Sequence, residues 1–390
     1  MPIKRANQST NLTVAVFGAF DILHPGHIFL LKQARLLGKT LVIVGRDNTI
    51  LKVKGKLPFF SEQKRKKNLE STTLAYKVLL GNEGSPYEIL DTVKPDIILL
   101  GPDQKAFTQN LEGELASRNL HTKIIRAKPF HIEFFKSSKI RPCLENPHAG
   151  FLPIYKPSGI SSHDVVNQIR KLVQTKKVGH AGTLDPLAEG LLIIGIHEAV
   201  KLLSWWHYFL KTYEVELELG KISDTYDNEG IIKVHNPQNI SLTEIKTLLP
   251  KFLGQQLQTP PQFSAKKING HKAYELARQG IKADLKKQSI YIADITLLNY
   301  ANPFLKLKVT CSSGTYIRSL VHDIGEKLQT GAIMTKLIRT EIGGFKPQTV
   351  TYKQPITLPT QIITPLELLN KINQLSITAT DFFAPMSSNS

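Results

Sequence analysis

The hydrophobic pattern of the chain changes once along its length, and that change limits the folds open to it. Early on, short unbroken apolar runs (Thr13–Phe17, Leu41–Gly45 and Ile97–Leu100) alternate with helical spacing such as Ile28–Leu37, which stops at Gly38. Unbroken runs of four or five apolar residues suit strands buried on both faces, and strand–helix–strand repeats build a parallel sheet. Later runs alternate strictly, as in Tyr213–Leu219 and Leu305–Cys311, with helical stretches at 164–173 and 272–279. Alternation of this kind belongs to half-buried strands of antiparallel sheets. The expected fold is therefore an α/β domain with a parallel sheet, followed by an α+β domain with a mainly antiparallel mixed sheet.

The 390 residues exceed the roughly 250 at which a single core stops growing. The break falls at Arg141-Pro-Cys-Leu-Glu-Asn-Pro-His-Ala-Gly150, where prolines and polar residues read as a linker. Expected boundaries are 1–142 for the first domain, 143–150 for the linker and 151–345 for the second domain. The tail, 346–390, contains Pro355, Pro359 and Pro365, one helical pattern near Leu366–Ile372 and a polar end. No internal repeat is visible.

Two cysteines, Cys143 and Cys311, exclude a disulfide framework and a cysteine-rich metal site. No run of about 20 apolar residues could span a membrane, and the N-terminus lacks the apolar segment of a signal peptide. A cytoplasmic monomer is the expectation. The net charge of +18 points to a polyanionic partner. Residues 1–150 hold 23 basic and 13 acidic side chains, the remainder 27 and 19, so neither part alone accounts for the excess.

Gly179-His-Ala-Gly-Thr-Leu-Asp-Pro186 is a constrained loop, and Asp185 before Pro186 reads by itself as a turn or helix-cap residue. Its neighbours in order change that reading. Lys156-Pro-Ser-Gly-Ile-Ser-Ser162 precedes it. Lys211-Thr-Tyr-Glu-Val215, Cys311-Ser-Ser-Gly-Thr-Tyr-Ile-Arg318 and Asp323-Ile-Gly-Glu-Lys-Leu328 follow. Tyr316 and Arg318, two apart, share a face if their segment is a strand.

From about Gly150 to Phe345 this ordered set closely resembles the TruB family, bacterial synthases that make pseudouridine in the tRNA T-loop. The resemblance implies a tRNA partner, base flipping and no cofactor. It makes Asp185 the nucleophile and pairs Arg318 with it. Tyr316 becomes a proton-transfer residue beside the uracil, and Tyr213 the ring that stacks on the flipped base. It also implies that His180 displaces the nucleotide, that Leu337 contacts it, and that Lys156 is a structural or RNA-proximal lysine. These types suit the chemistry. A carboxylate can attack ring or sugar, and it must stay charged in a shielded site. Flipping costs a few kcal/mol, and stacking returns roughly 1–3 kcal/mol. Lys266 and Lys267, in a basic and aromatic segment, are either phosphate contacts or a solvated loop. The additional small RNA-binding domain of many family members is expected to be absent or vestigial here.

In the first domain, Val16-Phe-Gly-Ala-Phe-Asp-Ile-Leu-His-Pro-Gly-His27 joins a strand to a helix N-terminus, an anion site by dipole and free N–H groups. Gly45-Arg-Asp47, Gly101-Pro-Asp-Gln104 and Phe135-Lys-Ser-Ser-Lys-Ile-Arg141 follow. The set resembles cytidylyltransferase-like nucleotidyltransferases with a Rossmann-like fold, including archaeal-type FAD synthetases. The resemblance implies that His24 and His27 stabilise the transferring phosphoryl group. It assigns nucleotide phosphates to Ser137, Ser138 and Arg141, and site positions to Asp21 and Asp103. It also implies Mg2+, ATP or CTP, and a small phosphorylated acceptor, with FMN the first candidate. Ala19 departs from the threonine usual in that family. Three readings compete: a bifunctional enzyme, a synthase with an inactive first domain, and a non-catalytic RNA-binding protein.

Overall fold

The computed structural model describes residues 12–131, 134–264, 266–268, 270–281, 283–347 and 362–378. Two compact units emerge. The first joins Met1–Pro147 with Pro365–Ala384, and the second is built on His148–Thr364.

In the first unit the apolar runs form β1 (Thr13–Gly18), β2 (Lys39–Val44), β3 (Lys77–Leu80), β4 (Ile97–Leu100) and β5 (Lys123–Arg126). All pair in parallel in the order β3-β2-β1-β4-β5. Intervening helices are α1 (Pro25–Leu37), α2 (Asp47–Lys54), α3 (Glu62–Glu70), α4 (Ile89–Val93), α5 (Leu111–Ser117) and α6 (Ser137–Glu145). They pack apolar clusters on both faces of the sheet, which is why its strands read as unbroken apolar runs. Strand order reverses between β1 and β4, where such sheets open a crevice beyond their carboxyl ends.

Helix α6 runs through part of the stretch whose prolines suggested a linker. Pro142 lies inside it, but Ile140 and Cys143 are buried, and that packing outweighs the missing N–H. The tail's helical pattern becomes α11 (Pro365–Thr378), which packs against α1 and α6 of the first unit. Residues 355 and 359 of the tail and its polar end lie outside the described residues.

The second unit begins with β6 (Gly150–Lys156), α7 (Ser162–Leu172), β7 (Val178–Ala181) and β8 (Glu189–Ile196). It continues with β9 (Lys211–Leu219), β10 (Lys221–Ser223), β11 (Ile232–Val234), α8 (Leu242–Leu248) and β12 (Gly254–Gln258). Last come β13 (Lys267–Ile268), β14 (His271–Lys272), α9 (Ala273–Arg278), β15 (Gln288–Ala301), β16 (Phe304–Cys311), α10 (Ile317–Lys327) and β17 (Ala332–Ile342). A mixed sheet runs β12-β15-β16-β9-β17-β8-β6, with β7 on β8. Only the β17–β8 pairing in it is parallel among those described. The inner faces of β9, β16 and β17 bury Val215, Leu217, Leu307, Val309 and Met334 beneath α10. Alternation along β9 and β16 follows from that one-sided burial. No helix among the described residues is long and apolar enough to cross a membrane.

One buried cation organises the crevice end of the first sheet. Arg65 on α3 is fully buried and donates to the carbonyls of Ala19, Gly45 (2.8 Å) and Phe60 (3.1 Å), and to Asp47 Oδ1 (2.6 Å). It thereby ties the exits of β1 and β2 to the start of α2. Breaking a buried pair by removing one partner typically costs 3–5 kcal/mol. Arg65→Met should destabilise the first unit by about 3–5 kcal/mol in urea titration. A loss under about 1 kcal/mol would mean the pair contributes no more than a surface bridge.

Candidate active sites

Asp185 sits on the 182–188 loop between β7 and β8, and neighbouring segments hold that loop from several sides. Ser162 Oγ, at the start of α7, exchanges 2.9 Å hydrogen bonds with both the carbonyl and the N–H of Leu184. Gly159 N donates to Pro186 O (2.9 Å) and Ser158 Oγ to Leu187 O (2.9 Å). The ammonium of Lys156 donates to Pro157 O (2.8 Å), Ile160 O (2.7 Å) and Pro186 O (3.2 Å). Lys156 is fully buried, which lowers its pKa to about 8, and the Asp185 charge opposes the drop. The Lys156–Ser162 motif is thus a cradle for the Asp185 loop. Ser161 and Asp164 close a capping box that starts α7 directly after it.

Arg339 on β17 holds the same loop from behind. It is buried and donates to Gly182 O (2.9 Å) and Leu191 O (2.7 Å). Its backbone lies so close to Gly190 that a Cβ there would stand 2.3 Å from the Arg339 carbonyl oxygen. Only glycine permits that approach. Nothing in the sequence reading pointed to Arg339, because an arginine in an amphipathic strand looks like a solvated residue.

Arg318 is the second residue of α10, and Tyr316 is the residue before the helix. The strand that would put both on one face does not form, because Ile317, Leu320, Val321 and Ile324 repeat at helical spacing and are buried. Gln258 at the end of β12 brackets Tyr316, its Oε1 accepting from Tyr316 N (2.8 Å) and its Nε2 donating to Tyr316 O (3.0 Å). The Arg318 side chain is 8% exposed and makes two ion pairs. Its Nη2 lies 2.9 Å from Asp185 Oδ2 and its Nη1 3.3 Å from Asp227 Oδ2. The carbonyls of Thr225 (3.1 Å) and Phe263 (2.9 Å) accept one further hydrogen from each of Nη1 and Nη2.

Asp227 is the principal residue that sequence reasoning missed. Its side chain is 2% exposed, against 41% for Asp185. Thr225 Oγ1 (2.5 Å) and Glu229 N (3.0 Å) donate to its Oδ1. Tyr226, left-handed at φ 64° and stacked on His322 at 4.1 Å, turns the chain just before it. The loop is clipped to β17 through Met334 N to Tyr226 O (3.0 Å) and Asn228 N to Met334 O (3.1 Å). The available signal was the acidic run Asp224-Thr-Tyr-Asp-Asn-Glu-Gly230, but its partner Arg318 is far away in sequence.

Tyr213 and Tyr316 both lie near Asp185. Burial raises the pKa of Tyr213 and of Tyr316, and the Asp185 charge raises each further. Tyr213 packs against the core cluster that contains Leu184 and Leu337. Leu337 pairs with Val215 and is itself buried in that core. His180 is on β7, its pKa lowered by burial, then by Arg339 and His163, with Nδ1 buried and unpartnered. Lys266 reaches Gln288 Oε1 at 3.3 Å, whereas the Lys267 side chain lies outside the described residues.

In the first unit a cavity of about 680 Å³ lies where strand order reverses, and all seven residues named for that site line it: Asp21, His24, His27, Asp103, Ser137, Ser138 and Arg141. Its apolar walls include Phe20, Phe107, Phe130 and Phe135, and its cations include Arg46, Lys54 and Lys128. His24 precedes α1, and its ring stacks on His27 at 3.7 Å. Burial lowers both histidine pKa values, that of His27 to about 4 with help from Lys54. The Nδ1 atoms of both rings are buried without a partner. Ser137 and Ser138 open α6, and Arg141 one turn on donates to Leu57 O (2.7 Å) and Glu145 Oε1 (2.6 Å).

Comparison with known proteins finds different families along the chain. Residues 15–168 match the cytidylyltransferase-like family. Residues 170–317 match the N-terminal domain of the TruB family pseudouridylate synthases, and 318–357 the C-terminal domain of tRNA pseudouridylate synthase B. The tRNA pseudouridine synthase B of Clostridium acetobutylicum is 48% identical over 196 residues, which are 50% of this chain and 68% of that protein. Its counterpart from Fusobacterium nucleatum is 41% identical over 196 residues, with the same two shares. Among solved structures, a Cbf5-Nop10-Gar1 complex matches at 27% identity and a TM-score of 0.41, covering 54% of this chain and 53% of that one. The chain belongs to the TruB family of tRNA pseudouridine synthases and carries a cytidylyltransferase-like domain ahead of its synthase domain.

Proposed function

We propose that the second unit isomerises the T-loop uridine of tRNA to pseudouridine, with Asp185 as nucleophile. The observation that carries this reading is a half-open carboxylate whose partner, Arg318, is almost wholly buried. A buried guanidinium with fixed acceptors cannot swing away, so it keeps Asp185 paired and aimed while leaving one face free. In the reaction the bond from uracil N1 to ribose C1′ breaks, the base turns, C5 bonds to C1′, the C5 proton leaves and N1 takes up a proton. The change is redox-neutral and atoms balance within one nucleotide, so no cofactor chemistry is required. Asp185 attacks either the sugar carbon or the ring. Tyr213 offers a stacking face to the extruded base, worth roughly 1–3 kcal/mol. His180 helps displace the nucleotide, Tyr316 serves the proton transfer, and Lys156 acts by holding the loop.

The first unit is proposed to transfer a nucleotidyl group from ATP or CTP to a small phosphorylated acceptor such as FMN. The gathering of Asp21, His24, His27, Asp103, Ser137, Ser138 and Arg141 around one crevice supports it. Two neutral imidazoles at a helix N-terminus donate N–H groups to phosphoryl oxygens as charge develops. Mg2+ is ordinarily held by nucleotide phosphates, waters and one or two carboxylates, and Asp21 and Asp103 are carboxylates this cavity offers. Aromatic walls suit a flat acceptor ring.

Release of tritium from tRNA labelled at uridine C5 tests the synthase. Asp185→Asn should abolish release from the T-loop position. Asp227→Asn should lower kcat about 100-fold with little change in KM, because it loosens Arg318 without touching RNA. Full activity in Asp185→Asn would remove the nucleophile assignment. For the first unit, pyrophosphate release with ATP or CTP, Mg2+ and FMN should fall about 100-fold or more in His24→Ala. No release from wild type with any acceptor would favour an inactive scaffold.

The histidines also predict a pH dependence. Unfolded histidines take up protons as pH falls through about 6.5, but folded His27 does not until about 4. The unfolded state therefore binds more protons between these values, and stability rises with pH across that window. Urea midpoints of the first unit should fall steadily from pH 6.5 towards pH 4, and less steeply in His27→Asn. An unchanged slope in that variant would contradict a buried neutral ring.

A further inference from the structure

The first unit is discontinuous in sequence, since its last helix, α11, comes from beyond the synthase domain. That helix is firmly seated. Leu368, Leu369, Ile372 and Ser376 are each at most 2% exposed, and Ile377 packs into the cluster of Ile28, Leu31 and Ala34 on α1. Burying such side chains supplies docking energy without specifying orientation. A polar contact adds that specificity. Asn373, 8% exposed, donates from Nδ2 to the carbonyl of Leu23 at 2.8 Å. Leu23 directly precedes His24, outside both β1 and α1.

That carbonyl belongs to the peptide unit that carries the His24 N–H. The unit turns as one plane, so fixing its oxygen fixes the entry of the chain into His24. His24 caps α1 in an extended conformation, with φ −142° and ψ 166°, and no side-chain cap bond secures it. Pro25 follows and donates nothing from its nitrogen. Asn373 therefore holds the chain just where α1 begins.

We propose that Asn373 is a positioning residue for His24, so that the chain segment beyond the synthase completes the nucleotidyltransferase site of the first unit. This rests on the nucleotidyl-transfer reading for its catalytic consequence, but not for its structural one. The helix contributes no group to the cavity and acts through the Leu23–His24 peptide.

The test uses the full chain. Asn373→Leu keeps size and apolar packing but removes the donor, and Asn373→Gln restores an amide. Histidine-selective NMR reads the His24 ring directly, assigned by His24→Ala. In Asn373→Leu the His24 resonances should move and pyrophosphate release should lose about 10-fold in kcat. KM for the nucleotide and tritium release from tRNA should stay unchanged. The melting midpoint of the first unit should fall by only about 3 °C. Asn373→Gln should recover at least part of both readouts. Unmoved His24 resonances in Asn373→Leu overturn the inference, whatever the turnover. Moved resonances with no pyrophosphate from wild type would retain the positioning role and reject the nucleotidyl-transfer reading. Should Asn373→Leu unfold the first unit, Asn373→Ala, which removes the donor without adding bulk, takes its place under the same two criteria.

Discussion

A single guanidinium between two carboxylates is the constraint on which the candidate site of the second unit depends. Arg318 is desolvated, and a desolvated cation is tolerated only when its partners are fixed. Asp227 and the carbonyls of Thr225 and Phe263 meet that need from the buried side. Asp185 meets it from the open side. The two aspartates are therefore not equivalent. Asp227 cannot reach a substrate, whereas Asp185 keeps an exposed face. Everything around them sharpens that asymmetry. The 156–162 cradle and Arg339 hold the Asp185 loop, Gln258 holds the start of α10, and β17 holds the Asp227 loop.

A second buried arginine plays a comparable part in the first unit with a different result. Arg65 draws the exits of two strands together, and the crevice opens between the loops it fixes. The histidines in that crevice are kept neutral by burial. Neutral rings avoid repulsion from Lys54 and remain available as N–H donors. An incoming polyphosphate would change that balance, because its charge favours the protonated form.

Legibility in the sequence followed the range of the interaction. Elements set by local period were readable: the buried parallel strands, the alternating β9 and β16, and the helical stretch that becomes α7. Motif residues with a recognisable neighbourhood could be singled out too, and the fold brings Asp185 to Arg318 and His24 to His27. Residues defined only by a distant partner could not be singled out. Asp227 looks like loop acidity, Arg339 like a solvated strand residue, and Arg65 like one more basic residue of a charged helix. Each matters through what it touches after folding. Around 141–150 the local signal of Pro142 is overridden for a related reason, since the burial of Ile140 and Cys143 carries α6 on to Glu145.

The tail illustrates the same point on the scale of a domain. Its helical pattern was visible, yet nothing local to it says which core it joins. Packing decides: α11 buries Leu368, Leu369 and Ile372, contacts α1 and α6, and sets Ile377 against the cluster that contains Ile28, Leu31 and Ala34. The first unit thereby closes around a chain that has already passed through the synthase fold. Its early contacts, β1 through α6, are near in sequence, but its closing contact spans the pairing of Leu23 with Asn373. Loop-closure entropy grows only logarithmically with length, so an independently folded insertion adds little to the cost of that contact. What it changes is order, because α11 can dock only after the synthase residues have been made. A shared chain in this arrangement is more than a tether, since the last helix of one unit is encoded after the other.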